Sequence, residues 1–168
     1  WDTFIYIDAL GAFNIGLIVF VGFTASLYSV GYMDYELQEG IINEQQFNQY
    51  YLLFHLFIVT MLAVSVVNSV GLMWVGIELT TIVSALLVGL YQKETALEAA
   101  WKYLIMGSVG LSFALIGIIF IYLSGAHIFG ENPQALNWTV LSKVSQELNP
   151  QWMLTAFIFV LIGFGTKA

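Results

Sequence analysis

Glu78 stands in the run Leu-Met-Trp-Val-Gly-Ile-Glu-Leu-Thr-Thr, with no lysine or arginine within a dozen positions on either side. An ionisable side chain at membrane depth costs on the order of a few kcal/mol, so it faces a protein interior or a water-filled cavity and serves a pathway. Two readings follow for Glu78: a protonated acid hydrogen-bonded to a neighbouring helix, or a titratable site on an ion path. Thr81, three residues on, shares its helical face and is a possible relay partner. Lys102 follows Glu98 at i+4, the favourable order for a helical ion pair. It reads either as a lysine snorkelling to the interface beside Glu98 or as a buried member of a proton relay. Lys167 lies deep in the last apolar run, after Gly163 and Gly165, which loosen a helix where a break would line an ion site.

His55, early in another apolar run, is a possible relay member or a hydrogen-bonded interfacial residue. His127 falls in a long loop and reads as solvated. Asp8 marks a helix entry, where a carboxylate suits the helix dipole. Asn68 caps a short turn or lines a cavity. Together Glu78, Glu98, Lys102 and Lys167 put two acids and two bases on three consecutive helices. Such an alternation suits protons, because each group can accept and pass one on. Nothing resembles a carbonyl selectivity filter or a ring of like charge. No phosphate loop, nucleophile–base pair or metal constellation is visible, and no cofactor is expected in this chain.

The elements that must position these groups follow from composition. The chain has 168 residues, 60% hydrophobic and 9% charged, against roughly 25% charged in soluble domains. No soluble core of this size hides so much apolar surface, so lipid is the solvent. Four lysines, no arginine and a net charge of −7 argue against nucleic-acid binding. The absence of cysteine excludes disulfides, iron–sulfur ligation and thiol catalysis within this chain.

A spanning helix needs roughly 20 apolar residues. The pattern predicts an all-α bundle of transmembrane helices near residues 9–33, 50–67, 72–91, 97–123 and 151–168, the last discontinuous at its end. Residues 34–49 form an acidic link and 92–96 a tight turn, on one side of the membrane. Residues 68–71 and the loop 124–150, with Pro133 and Pro150 as turn formers, lie on the other. Lys93 and Lys143 fall on opposite sides, so the positive-inside rule does not orient the chain. Trp1, Trp74, Trp101, Trp138 and Trp152 sit near predicted span ends, as an aromatic belt would. Gly107, Gly110 and Gly117 line up for close helix packing. The chain begins Trp1-Asp2 and ends without a polar tail, which reads as an internal piece of a longer protein and as a single transmembrane region.

Four stretches carry a family likeness: Tyr-Ser-Val-Gly-Tyr-Met (28–33), the run through Gly-Ile-Glu-Leu-Thr-Thr (71–90), Glu-Ala-Ala-Trp-Lys-Tyr-Leu-Ile (98–105) and Gly-Phe-Gly-Thr-Lys-Ala (163–168). In this wording the chain resembles the antiporter-like, proton-conducting membrane subunits of respiratory complex I, the multi-subunit Na⁺/H⁺ antiporters and the membrane-bound [NiFe]-hydrogenases. Around Glu78, Lys102 and Lys167 it is most similar to the hydrogenase-4 component F type. The resemblance implies a fold of about fourteen helices with inverted repeats, of which this piece is roughly the third helix to the first half of the seventh. It implies that Glu78 is the family's essential helix glutamate, Lys167 the lysine at the helix break, and Lys102 a lysine of the intervening helix.

The resemblance further implies a non-redox-active subunit of an oxidoreductase complex, NADH:quinone oxidoreductase-like or hydrogenase-like. Its partners would be other membrane subunits, a peripheral redox arm, the lipid bilayer, and protons or Na⁺, in a prokaryotic plasma membrane. The alternatives are a cation/proton antiporter subunit not coupled to redox chemistry, and a scaffold whose charges only lock packing.

Overall fold

A computed structural model describes residues 4–130, 132 and 134–167. It is all-helical, as the apolar runs require: α1 (Ala9–Gln38), α2 (Glu44–Val66), α3 (Val70–Val88), α4 (Glu94–Phe129), the single turn α5 (Trp138–Leu141) and α6 (Pro150–Gly165). Four of the helical spans are long and apolar enough to cross a membrane: α1, α2, α3 with its terminal 3-10 turn, and α4. The protein is a multi-pass membrane protein. Large apolar side chains point outward along the helices, among them Phe13, Phe20, Leu52, Met106 and Phe157. That is an inside-out surface for water but an ordinary one for lipid.

The helices pack in chain order, α1 on α2, α2 on α3, α3 on α4, and α4 on α6. The α4–α6 seam is the most intimate. A Cβ added to Gly117 would lie 2.6 Å from Val160 Cγ2, and one on Gly163 would lie 2.3 Å from the Ala114 backbone nitrogen. The glycines of α4 are therefore spacers that let backbones touch. Gly163 has the same role on α6, and the helix runs unbroken past it to Gly165. At about 1.5 Å per residue α6 is roughly 24 Å long, short of a bilayer core of about 30 Å. It stops in a turn at Thr166 and Lys167, and Ala168 lies outside the described residues.

Several bounds differ from the sequence reading, each for a local reason. Helix α2 starts at Glu44, not near residue 50, because Asn43 and Gln46 form a reciprocal capping box. The buried Gln46 also donates from Nε2 to the Leu90 carbonyl at 2.8 Å, joining α2 to the end of α3. Helix α1 runs on to Gln38, so most of the acidic link is helix. Glu36 faces inward, 6% exposed, and accepts a hydrogen bond from Tyr91 Oη at 2.6 Å. Helix α4 continues to Phe129 and ends at Gly130, whose φ of +57° suits glycine. His127 thus belongs to the last turn of α4, where it is exposed, and not to a loop.

The opposite membrane face is laced by extended segments. Residues Ile5 and Val67, and Ser69 and Asn137, form isolated antiparallel bridges. Asn68, 1% exposed, donates from Nδ2 to Thr139 Oγ1 at 2.9 Å and accepts from the Thr139 amide at 3.2 Å. Its side chain ties the long loop to the α2–α3 connection. Ser69, its neighbour, is the N-cap of α3. Trp101, Trp138 and Trp152 are exposed near helix ends, while the indole of Trp74 turns inward and donates to the Leu111 carbonyl at 2.7 Å. Trp1 and Pro133 lie outside the described residues.

Candidate functional site

The tight turn after α3 folds α4 back against it, and that antiparallel register sets the site. Trp74 reaches Leu111, Glu78 reaches Ser108, and Ser84 reaches Tyr103. Trp74 and Glu78, four apart, share the face of α3 turned to α4, and Ser84, nearer the turn, reaches α4 from the flank of that face. Thr81, fully buried, sits on the same seam, where a Cβ added to Gly107 would lie 2.9 Å from its methyl carbon. Its hydroxyl donates to the Ile77 carbonyl at 3.0 Å, within its own helix. The structure therefore puts Thr81 beside Glu78 as a packing residue.

Glu78 Oε1 accepts a hydrogen bond from Ser108 Oγ at 2.6 Å. Its Oε2 is buried and has no hydrogen-bond partner among the described residues. A carboxylate oxygen has several lone-pair sites to satisfy, and an unpaired buried polar atom costs about 1–3 kcal/mol.

Lys167 leaves the end of α6 and returns to α4. Its Nζ donates to Tyr103 Oη at 2.6 Å and lies 4.7 Å from the centre of the Tyr103 ring. Tyr103 Oη is also 3.1 Å from Ser84 Oγ on α3. The acid and the base thus occupy the same three-helix junction, each bonded to a hydroxyl of α4. They do not touch: among the described residues the ion pair within reach is that of Lys102 with Glu98. Lys167 also lines a groove of about 460 Å³ with Asn14, Ser65, Thr80 and Phe164.

The other sequence candidates lie elsewhere. Lys102 is paired with Glu98 on an exposed face of α4, both side chains largely uncovered. His55 is exposed on α2, with its Nδ1 2.7 Å from the Tyr51 carbonyl oxygen and its ring against Tyr51 and Phe54. Neither is brought to Glu78. Three side chains that the sequence reading did not single out take their place: Ser108 is brought to Glu78, and Tyr103, joined to Ser84, to Lys167. Their signal was positional, because Glu78 and Ser108 are equidistant from Lys93 at the turn. Among the described residues no group of three or more His, Asp or Glu side chains is gathered to hold a metal.

The chain has relatives among known proteins. The family profile described as "NADH:quinone oxidoreductase/Mrp antiporter, TM" matches residues 67–168, from the entry to α3 through the end of the chain. A hydrogenase-4 component F homolog of Methylacidiphilum infernorum is 36% identical over 98% of this chain and 35% of its own length. An NADH-quinone oxidoreductase subunit N of Paenibacillus is 28% identical over 92% of this chain and 28% of its own. A Na(+)/H(+) antiporter subunit A1 of Staphylococcus aureus is 26% identical over 98% of this chain and 19% of its own. The chain thus spans about a third or less of the length of these relatives. No solved structure matches it. With its profile match covering more than half of the residues, including both Glu78 and Lys167, the chain belongs to the NADH:quinone oxidoreductase/Mrp antiporter transmembrane family.

Proposed function

We propose that this chain is part of a proton-translocating membrane subunit of a complex I-like or hydrogenase complex, driven by redox chemistry carried out in other subunits. The observation that carries the reading is the junction of α3, α4 and α6. It holds a carboxylate with one buried, unpartnered oxygen and a lysine tethered to the same helix α4 by a single hydroxyl. The likeness to a hydrogenase-4 component F homolog and to NADH-quinone oxidoreductase subunits N supports the redox-driven reading over a free-standing antiporter.

The mechanism follows from the two stations. An ammonium brought close to a carboxylate favours its ionised form, and removing it favours protonation. When Lys167 swings toward Glu78, the acid gives up its proton; when it withdraws, the acid takes one up. Ser108 keeps the carboxylate aimed throughout. Each charge moved across the membrane costs about 2.3 kcal/mol per 100 mV, which the redox arm would supply. Lys102, paired with Glu98 on the outer face of α4, is a relay member at the boundary with a neighbouring helix of the same complex.

The test is Glu78→Gln in the full-length subunit within its assembled complex. The expected result is loss of redox-driven proton transport in sealed vesicles, with the complex still assembled. Full pumping by that variant would sink the relay. Purification with a redox arm supports the coupled reading; gradient-driven exchange without one would favour the antiporter.

A further inference from the structure

Lys167 has more contacts than a lysine waiting for Glu78 requires. Its ammonium donates to the hydroxyl of Tyr103 at 2.6 Å, beside the oxygen at the edge of the ring. Tyr103 is in turn joined to α3 through Ser84, whose Oγ lies 3.1 Å from Tyr103 Oη and 2.7 Å from the Thr80 carbonyl oxygen. A serine hydroxyl has one proton to give. With that proton directed at the Thr80 carbonyl, Ser84 Oγ accepts from the Tyr103 hydroxyl, whose oxygen accepts from Lys167. The series ends on a backbone carbonyl, which carries no exchangeable proton. It is therefore a clamp for the ammonium and not a wire for protons.

We propose that Tyr103 is a positioning residue that docks the Lys167 ammonium at a station apart from Glu78, with Ser84 fixing the tyrosine hydroxyl. The inference rests on the relay reading above. Three observations converge on it. The station is occupied by a charge-assisted hydrogen bond, which favours the charged lysine. Lys167 and Glu78 form no ion pair among the described residues. The backbone at Lys167 is held by its amide, which donates to the Phe164 carbonyl at 3.0 Å, so the movable part is the side chain. Glu78 is the carboxylate that α3 contributes to this seam. Without the clamp, the lysine would settle on it, and a pair that does not part moves no protons.

The decisive variant is Tyr103→Phe in the assembled complex, with redox-driven proton transport as the readout. Phenylalanine keeps the shape and the ring face but removes the hydroxyl, so a purely packing role would leave transport unchanged. The expected result is a fall of about tenfold or more at normal assembly. Ser84→Ala should reduce transport in the same direction, and it decides the matter where Tyr103→Phe does not assemble. The double variant should transport no worse than Tyr103→Phe alone, because both act through one series. Wild-type transport by Tyr103→Phe, or losses that multiply in the double variant, would overturn the clamp. If Glu78→Gln blocks transport while Tyr103→Phe does not, the clamp alone falls. If Glu78→Gln transports, the relay falls and the clamp with it.

Discussion

Ser108 on α4 donates a 2.6 Å hydrogen bond to Oε1 of Glu78 on α3, one of three polar contacts across this interface among the described residues, with Trp74–Leu111 and Ser84–Tyr103. The bond fixes which way the acid points. It also leaves the second oxygen as the free one.

Removing that donor gives the first prediction. Ser108→Ala leaves both carboxylate oxygens of Glu78 without a partner, at a cost of about 1–3 kcal/mol. Redox-driven proton transport should drop by about tenfold or more, while Ser108→Thr should retain most of it. Ser112, one turn on, bonds the Ser108 carbonyl within its own helix, so Ser112→Ala should be near neutral. Equal transport by Ser108→Ala and wild type would remove the serine from the site.

The α4–α6 seam makes a stability prediction with an internal control. A Cβ on Gly163 would meet the Ala114 backbone at 2.3 Å, whereas one on Gly165 would meet nothing within 4 Å. Gly163→Ala should therefore destabilise by about 1–3 kcal/mol through overpacking. Gly165→Ala should be neutral or slightly stabilising, because alanine suits a helix better than glycine. Thermal midpoints of the detergent-solubilised complex would compare the two, and similar midpoints would contradict the spacer role of Gly163.

The buried acid at the other membrane face offers a third test. Tyr91 Oη donates to Glu36 Oε2 at 2.6 Å and so joins the end of α1 to the end of α3. Tyr91→Phe deletes the donor and should cost about 1–3 kcal/mol. Glu36→Gln keeps an acceptor oxygen and should cost less. Proton transport per assembled complex should hardly change in either, since neither residue lies at the Glu78 junction. A transport loss without a stability loss would move Glu36 into the pathway.

The helices were legible because an apolar run of membrane length has few alternatives, and Glu78 was legible because a lone charge within such a run is costly. The ends were less so. The start of α2 lay hidden in an amide-rich stretch whose Asn43–Gln46 spacing is a capping signal that composition obscures. Lys102 and Glu98 were readable as a pair, but the face of α4 they occupy depends on where α3 and α6 pack. Ser84, Tyr103 and Ser108 left no trace as single residues, since hydroxyls are common in membrane helices. They acquire meaning only when the chain is folded about the turn after α3 and the two helices are set in register.

One contact limits how the site can work. A Cβ on Gly110 would fall 1.8 Å from Thr166 Oγ1, and the Thr166 hydroxyl is itself bonded back to the Gly163 carbonyl at 2.7 Å. The tip of α6 is thus packed closely against α4 at Thr166, immediately before Lys167. In the proposed relay the switch is therefore the four-methylene tether of Lys167, the part of the residue that this packing does not hold. Rotamer changes of that kind take picoseconds to nanoseconds when unhindered, so the pace of turnover would be set by whatever drives the swing and not by the swing itself.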